Sequence, residues 1–219
     1  MELVGLSRLL LAAVAGAMLL VVPPSLGADR AASQSRVTIF ARPTVIDWAT
    51  SAQLYGAAPG ASHDDVVTIQ VRECGSSFFK TFVELHPSAG GGWSTPAGSS
   101  ITATYRASWN NRTSAAVTIR QRANVRLERR RSGSGFVVAV AGKRSFWRKQ
   151  VLIERRQAGR WQLVRRVVLT DSVGSTGTVS VSQATFRLGV PKGTVLRAFL
   201  PAAQARPCYV ASVSRTVRT

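Results

Sequence analysis

The chain has 219 residues and a formal net charge of +19, from 29 Lys and Arg against 10 Asp and Glu. Ten acids and two His leave little material for acid–base or metal chemistry, and no sustained heptad or long 3.6-residue period favours a coiled coil or helical bundle. Abundant aliphatic, Thr and Ser residues, with 18 Gly gathered in turn-like clusters, point to an all-β chain.

Residues 1–27 read as a signal peptide. Arg8 precedes the 14-residue apolar run 9–22, Pro23-Pro24 closes it, and Ser25-Leu26-Gly27 places small residues where a signal peptidase cuts. The alternative is a retained anchor, but the run is shorter than the ~20 residues that span a bilayer. The expected product is therefore exported, secreted or associated with the cell envelope, with no integral membrane anchor after cleavage. Cleavage removes one Arg and one Glu, so the charge stays at +19. Roughly 190 residues remain, enough for one large or two small cores.

Residues 28–36 form a short polar lead-in, and residues 37–122 a first β unit. Strands are expected at Val37–Phe40, Ala52–Tyr55, Val66–Arg72, Phe78–Leu85, Ser100–Tyr105 and Ala115–Arg120. Turn signals separate them at Ala58-Pro59-Gly60, Cys74-Gly75-Ser76, Gly90-Gly91-Gly92 and Asn110-Asn111. Strands spaced this way build a sandwich or a barrel.

The stretch Val117–Arg131 joins this unit to the next. Val117 and Ile119 alternate with Thr118 and Arg120, and after Ala123-Asn124 the residues Val125 and Leu127 alternate with Arg126 and Glu128. One half-buried strand closes the first unit and another opens the second. The junction Gln121–Asn124 is too short, and too free of Gly and Pro, to act as a hinge. The second unit, residues 123–219, is expected to hold strands at Val125–Glu128, Phe136–Ala141, Val151–Arg155, Trp161–Leu169, Val179–Val181, Leu196–Phe199 and Tyr209–Val217, with turns at Ser132–Gly135, Ala158-Gly159, Val173–Gly177 and Pro191–Gly193.

The two units read as an internal repeat. Tyr105-Arg106-Ala107 matches Leu196-Arg197-Ala198, Val117-Thr118-Ile119-Arg120 matches Arg215-Thr216-Val217-Arg218, and Gly75 matches Gly159. The offsets of 91, 98 and 84 residues are close to one immunoglobulin-sized domain. Loose alignment of any two β domains is the alternative.

These residues carry a resemblance. Val67-Thr68-Ile69, Cys74-Gly75, Phe78-Phe79, Tyr105-Arg106-Ala107 and the Ser114-x-x-Val117-x-Ile119 pattern resemble tandem bacterial immunoglobulin-like modules of exported proteins from high-GC bacteria. The pattern spans most of the chain after residue 27 but departs in the second unit, where the Cys and the Tyr-Arg-Ala element are displaced or altered. The resemblance implies two immunoglobulin-like β-sandwiches in tandem, with a structural or binding role at the surface. It implies no catalytic residue and no cofactor.

Chemistry-bearing residues are sparse. His63-Asp64-Asp65, in a loop after Pro59-Gly60, offers imidazole and carboxylates, but a metal site needs three or four converging ligands and His86 is remote in sequence. A solvated turn accounts for the motif equally, and no metal site is assigned. Gly-x-Ser-x-Gly, phosphate-loop and zinc-helix motifs are absent. A secreted hydrolase would need a site in which His63 or His86 meets two carboxylates from other strands. Asn111-Arg112-Thr113 fits an N-glycosylation acceptor and equally a turn.

Charge divides the chain. From residue 28, the first unit holds nine Arg or Lys against six acids, and the second nineteen against three. The candidate anionic-polymer-binding set is Arg129, Arg130, Arg131, Lys143, Arg144, Arg148, Lys149, Arg155, Arg156, Arg160, Arg165 and Arg166, with Trp147 and Trp161 among them. Aromatic rings between Arg groups suit sugars, bases or lipid headgroups. Three explanations of the excess stay open: a solvated face that protects strand edges; a module that holds an anionic cell-envelope polymer or an acidic protein surface through bidentate Arg contacts; and nucleic-acid binding, which export and the lack of a recognised motif oppose.

Cys74 and Cys208 fall one in each unit, so neither unit can hold an internal sheet-to-sheet disulfide. In an exported chain, an even count admits one intramolecular bridge tying the two units together. Two buried thiols, or a bridge between molecules, are the alternatives.

Overall fold

The structure, a computed structural model, describes residues 36–130, 135–176 and 179–219. The expected signal peptide, all but the last residue of the lead-in, and Arg131 lie outside the described residues. The fold is all-β, as composition and periodicity predict.

The first half supplies β1 (Phe40–Arg42), β2 (Val45–Ile46), β3 (Ser51–Ala57), β4 (Val67–Glu73), β5 (Lys80–Leu85), β6 (Gly92–Gly98), β7 (Ala103–Trp109), β8 (Arg112–Thr113) and β9 (Val117–Gln121). They form two sheets, β1-β3-β6 and β2-β9-β7-β4-β5, with β8 paired to β7. Alternation decides which side chains turn inward. Leu54 from β3, Ile69 from β4, Tyr105 from β7 and Ile119 from β9 are almost fully buried in one shared apolar cluster. Each such burial stabilises the fold by about 1.5–3 kcal/mol.

The second half supplies β10 (Asn124–Arg129), β11 (Gly135–Gly142), β12 (Gln150–Gln157), β13 (Arg160–Val168), β14 (Asp171–Thr176), β15 (Val179–Arg187), β16 (Val195–Leu200), the short helix α1 (Ala202–Ala205), β17 (Ser212–Val213) and β18 (Val217–Arg218). Its sheets are β10-β11-β15-β14 and β13-β12-β16-β17, with β18 also on β16. Leu127, Val138, Phe186, Ile153 and Leu196 meet in a second buried cluster between them.

Three departures from the predicted strands have physical causes. β6 was expected as loop, because Gly and Pro fill it. It is an edge strand, where the missing N–H of Pro96 removes no ladder bond that the sheet needs, and Trp93 and Ala97 still point inward. β14 takes up residues 173–176 of the expected turn Val173–Gly177, paired with β15 across an irregular register between Ser172 and Ser175. The single expected strand Tyr209–Val217 is two short strands, β17 and β18, with Ser214 between them. There the Ser214 hydroxyl accepts from the Ala198 amide at 2.9 Å and donates to the Arg215 carbonyl at 2.7 Å, taking the place of ladder bonds.

Of the residue matches read as a repeat, Tyr105-Arg106-Ala107 and Leu196-Arg197-Ala198 occupy equivalent places, whereas Val117 lies opposite Tyr105 and Val217 opposite Leu196, so the match of Val117–Arg120 with Arg215–Arg218 is two residues out of register. Arg106 on β7 lies opposite Gln70 on β4, and Arg197 on β16 lies opposite Glu154 on β12. In each case the Arg Nε donates to the facing side-chain oxygen at 2.7 Å. In each case the guanidinium also sits 4.1 Å from the centre of an aromatic ring, Phe79 or Trp161. Ser114 repeats the Ser214 pattern, accepting from the Ala107 amide at 2.9 Å and donating to the Ala115 carbonyl at 2.7 Å.

Where the halves meet, the backbone is held from several sides. The Arg122 amide donates to the Ile46 carbonyl, the Val210 amide to the Gln121 carbonyl, and the Ala123 amide to the Ser212 hydroxyl. Gln121 is fully buried. Cys74 and Cys208 form the expected intramolecular disulfide, with Cα atoms 5.4 Å apart across 134 residues of sequence. Beside it, Tyr209 accepts from the Lys143 amide at 2.7 Å and donates to the Ser100 carbonyl at 2.8 Å. Ile101, from the first half, is buried in the second half's cluster.

Candidate anion-binding surface

Strand direction places the basic residues. β16 ends next to α1 and Cys208, so it runs toward the junction, and β12, antiparallel to it, runs away. β10 likewise leaves the junction and turns back as β11. The end of the second half remote from the junction therefore gathers Arg129 and Arg130 at the β10–β11 turn and Arg156 and Arg160 at the β12–β13 turn. It also gathers Arg187 at the end of β15, Lys192 in the turn before β16, and Arg218 opposite Val195.

The sharp β12–β13 connection follows from its residues. Ala158 and Gly159 both take positive φ, 47° and 77°, the backbone of a tight two-residue hairpin. That turn sets Arg156 and Arg160 a few residues apart at its mouth. All seven distal cations are exposed, and none makes an ion pair among the described residues. The acids of this half are Glu128, Glu154 and Asp171. Glu154 is held by Arg197, and Asp171 opens β14 opposite Gln183 in the middle of β15, which leaves Glu128 beside the seven cations.

The candidate set named from sequence is thus not one cluster. Arg129, Arg130, Arg156 and Arg160 come together at the remote end. Arg155, half-buried, donates to Gln162 at 3.4 Å. Arg165 closes the gap between the two sheets: its Nη1 donates to the Arg187 carbonyl at 2.7 Å and its guanidinium faces the Phe186 ring. Arg166 is exposed on the outer face of β13, opposite Leu152. Lys143 and Arg144 sit at the junction, against the first half. Lys143 pairs with Glu73, and Arg144 reaches the Cys74 carbonyl at 3.4 Å. Arg148 and Lys149 lie in the β11–β12 connection, with Arg148 4.1 Å from the centre of the Trp147 ring. Sequence proximity grouped these residues because runs such as 143–149 are contiguous, whereas a hairpin's two ends point to opposite poles. Arg187, Lys192 and Arg218 were missed as isolated charges, although each falls at a turn or strand end.

Among the described residues, three groups carry shifted titration. Burial pushes the Tyr105 hydroxyl up to about 12, with a smaller push from Glu73. Burial also raises Tyr209, against hydrogen bonds from the Lys143 and Arg144 backbones that pull it back. Asp65 is lowered by hydrogen bonds from Ser62, whose amide and hydroxyl donate to its carboxylate at 2.6 and 2.8 Å.

His63 and His86, remote in sequence, stack with ring centres 6.0 Å apart. His86 Nδ1 lies 3.0 Å from the Asp65 carbonyl. Among the described residues, no group of three or more His, Cys, Asp and Glu side chains is placed to hold a metal ion. No helix among them is long and apolar enough to cross a membrane.

No family model matches the chain, and no curated protein matches it. Among solved structures, it is similar to a purple acid phosphatase from yellow lupin (Lupinus luteus) seeds, at 9% identity and a TM-score of 0.36, over 84% of this chain and 41% of that one. The chain therefore spans well under half of that relative's length.

Proposed function

We propose that this is an exported, non-enzymatic protein of two immunoglobulin-like β-sandwiches, which holds an anionic cell-envelope polymer at the remote end of its second sandwich. The strand orders support the fold. β10-β11-β15-β14 against β13-β12-β16-β17 follows the two-sheet order of an immunoglobulin domain, and the first half shares the repeated Arg–aromatic and Ser bridges. The leader-like residues 1–27 and the disulfide support export. The observation that carries the binding role is the set of seven exposed distal cations, none in an ion pair among the described residues. A purely solvated surface has no reason to gather seven unpaired cations at one pole.

The test compares two sets of variants of the full chain on immobilised heparin and on a teichoic-acid-like polyphosphate. One is Arg156→Gln with Arg160→Gln and Arg187→Gln; the other is Arg148→Gln with Lys149→Gln. Counterion release predicts that the slope of log K against log salt falls by about one for each distal cation removed. The Arg148/Lys149 variant should leave the slope nearly unchanged. Equal losses from both sets would show diffuse attraction to net charge and would sink the assignment.

A further inference from the structure

The structure contains a second, differently built candidate site, at the junction. Asp47 forms an ion pair with Arg122 at 3.2 Å, and the Thr50 amide and hydroxyl both donate to the Asp47 carbonyl. These bonds pin a tight turn in which Ala49 adopts φ 60°, a strained value for a residue with a Cβ. The turn presents Trp48, half-buried and in neither apolar cluster, as a ridge between two clefts.

On one side lies a cleft of about 450 Å³ along β10, lined by Asn124, Arg126, Glu128 and Arg215. Asn124, Arg126 and Glu128 share one face of the strand, because successive strand residues alternate. Arg126 and Arg215 are exposed and without ion pairs among the described residues. On the other side lies a cleft of about 770 Å³ whose wall carries Thr50, Ser51, Ser99 and Ser100. Both volumes fall within the usual range for small-ligand sites.

We propose that these clefts are adjoining subsites for an acidic glycan, with an acidic sugar on the Arg side of Trp48 and a neutral sugar on the hydroxyl side. The indole gives an apolar face for the C–H face of a pyranose ring. Guanidinium groups pair with a carboxylate in a geometry that a hydroxyl-lined cleft cannot offer. Glu128, at the end of the Arg cleft, repels a second adjacent acid, which favours alternating acidic and neutral sugars over a run of acids. A β-strand partner on the β10 edge fits less well, because Arg126 and Glu128 project there as edge-protecting charges. The site shares no residue with the distal cations and does not depend on them.

The probe is a tetrasaccharide of alternating hexuronate and N-acetylhexosamine, with its carboxyl-reduced analogue, titrated calorimetrically into the full chain at physiological ionic strength. Its few charges give the distal cations little purchase at that salt. The full chain should bind it saturably at one site. Trp48→Ala should weaken binding roughly tenfold or more, with Trp48→Phe intermediate, in variants that melt like the parent. Arg126→Gln with Arg215→Gln should erase the preference for the uronate over its reduced form. The Arg156/Arg160/Arg187 variant should bind as the parent does. No saturable binding, equal affinity of Trp48→Ala and parent, or stronger binding of a single-stranded oligonucleotide would overturn the proposal. Loss confined to the distal variant would overturn it too, while leaving the distal polymer assignment standing.

Discussion

Replacing both Cys74 and Cys208 by Ala removes a link between residues 134 apart in sequence. On the chain-entropy account, releasing a loop of that length restores about 5 kcal/mol of freedom to the unfolded chain. Cys208 is almost fully buried and Cys74 packs against the second apolar cluster, so losing two sulfurs adds a packing loss of about 1 kcal/mol or more. In a chain of this size each kcal/mol moves Tm by about 2–4 °C, which sets the expected fall at about 12–24 °C. Thermal melts followed by circular dichroism would measure it. Parent protein melted in excess reductant, with its thiols left unmodified, provides a control that keeps both sulfurs and loses only the bond. If both variant and reduced parent melt within about 3 °C of the oxidised parent, the unfolded chain is not constrained as argued, or the halves unfold without sensing the link.

Two further outcomes follow from single side chains. Tyr105 stays neutral in the folded chain up to about pH 12 but ionises near 10 when unfolded. Its contribution is therefore complete below pH 10 and lost as pH rises toward 12; urea midpoints at pH 9 and 11 should show the fall, and Tyr105→Phe should flatten it. Ile101→Ala opens a cavity in the second half's cluster although the residue belongs to the first half, and should cost about 2–5 kcal/mol. Amide exchange should place the weakening in β10–β18 rather than in β1–β9; the reverse would mean Ile101 serves its own half.

Much of this architecture was legible from side-chain alternation. Val67, Ile69 and Val71, or Val138 and Val140, declare their inward face by period alone. The matches Tyr105-Arg106-Ala107 and Leu196-Arg197-Ala198 were readable as repeats, because the outward Arg and inward Ala have fixed jobs on equivalent strands. The cysteine pairing was readable from parity and compartment. β6 was hidden because Gly92, Pro96 and Gly98 are loop-like residues everywhere except on an edge. The division of the basic residues was hidden for another reason: poles are set by the sense of each strand, a property of topology rather than of local pattern. The Trp48 ridge depends on a backbone value at Ala49 and an ion pair between residues 75 apart, and neither leaves a local trace.

The link between Cys74 and Cys208 also governs how the protein responds to tension. The first half's start at residue 36 and the second half's Thr219 lie toward opposite poles of the molecule, since β2 runs parallel to β9 into the junction and β18 sits at the remote end of β16. A pull between them need not travel through residues 75–207. It crosses the sulfur–sulfur bond, passing directly from β4 to the segment before β17. The bypassed segment would otherwise pay out about 470 Å of extended chain, at about 3.5 Å per residue over 134 residues. Under stretching the reduced molecule can release that length, and the oxidised one keeps it locked behind the sulfur–sulfur bond.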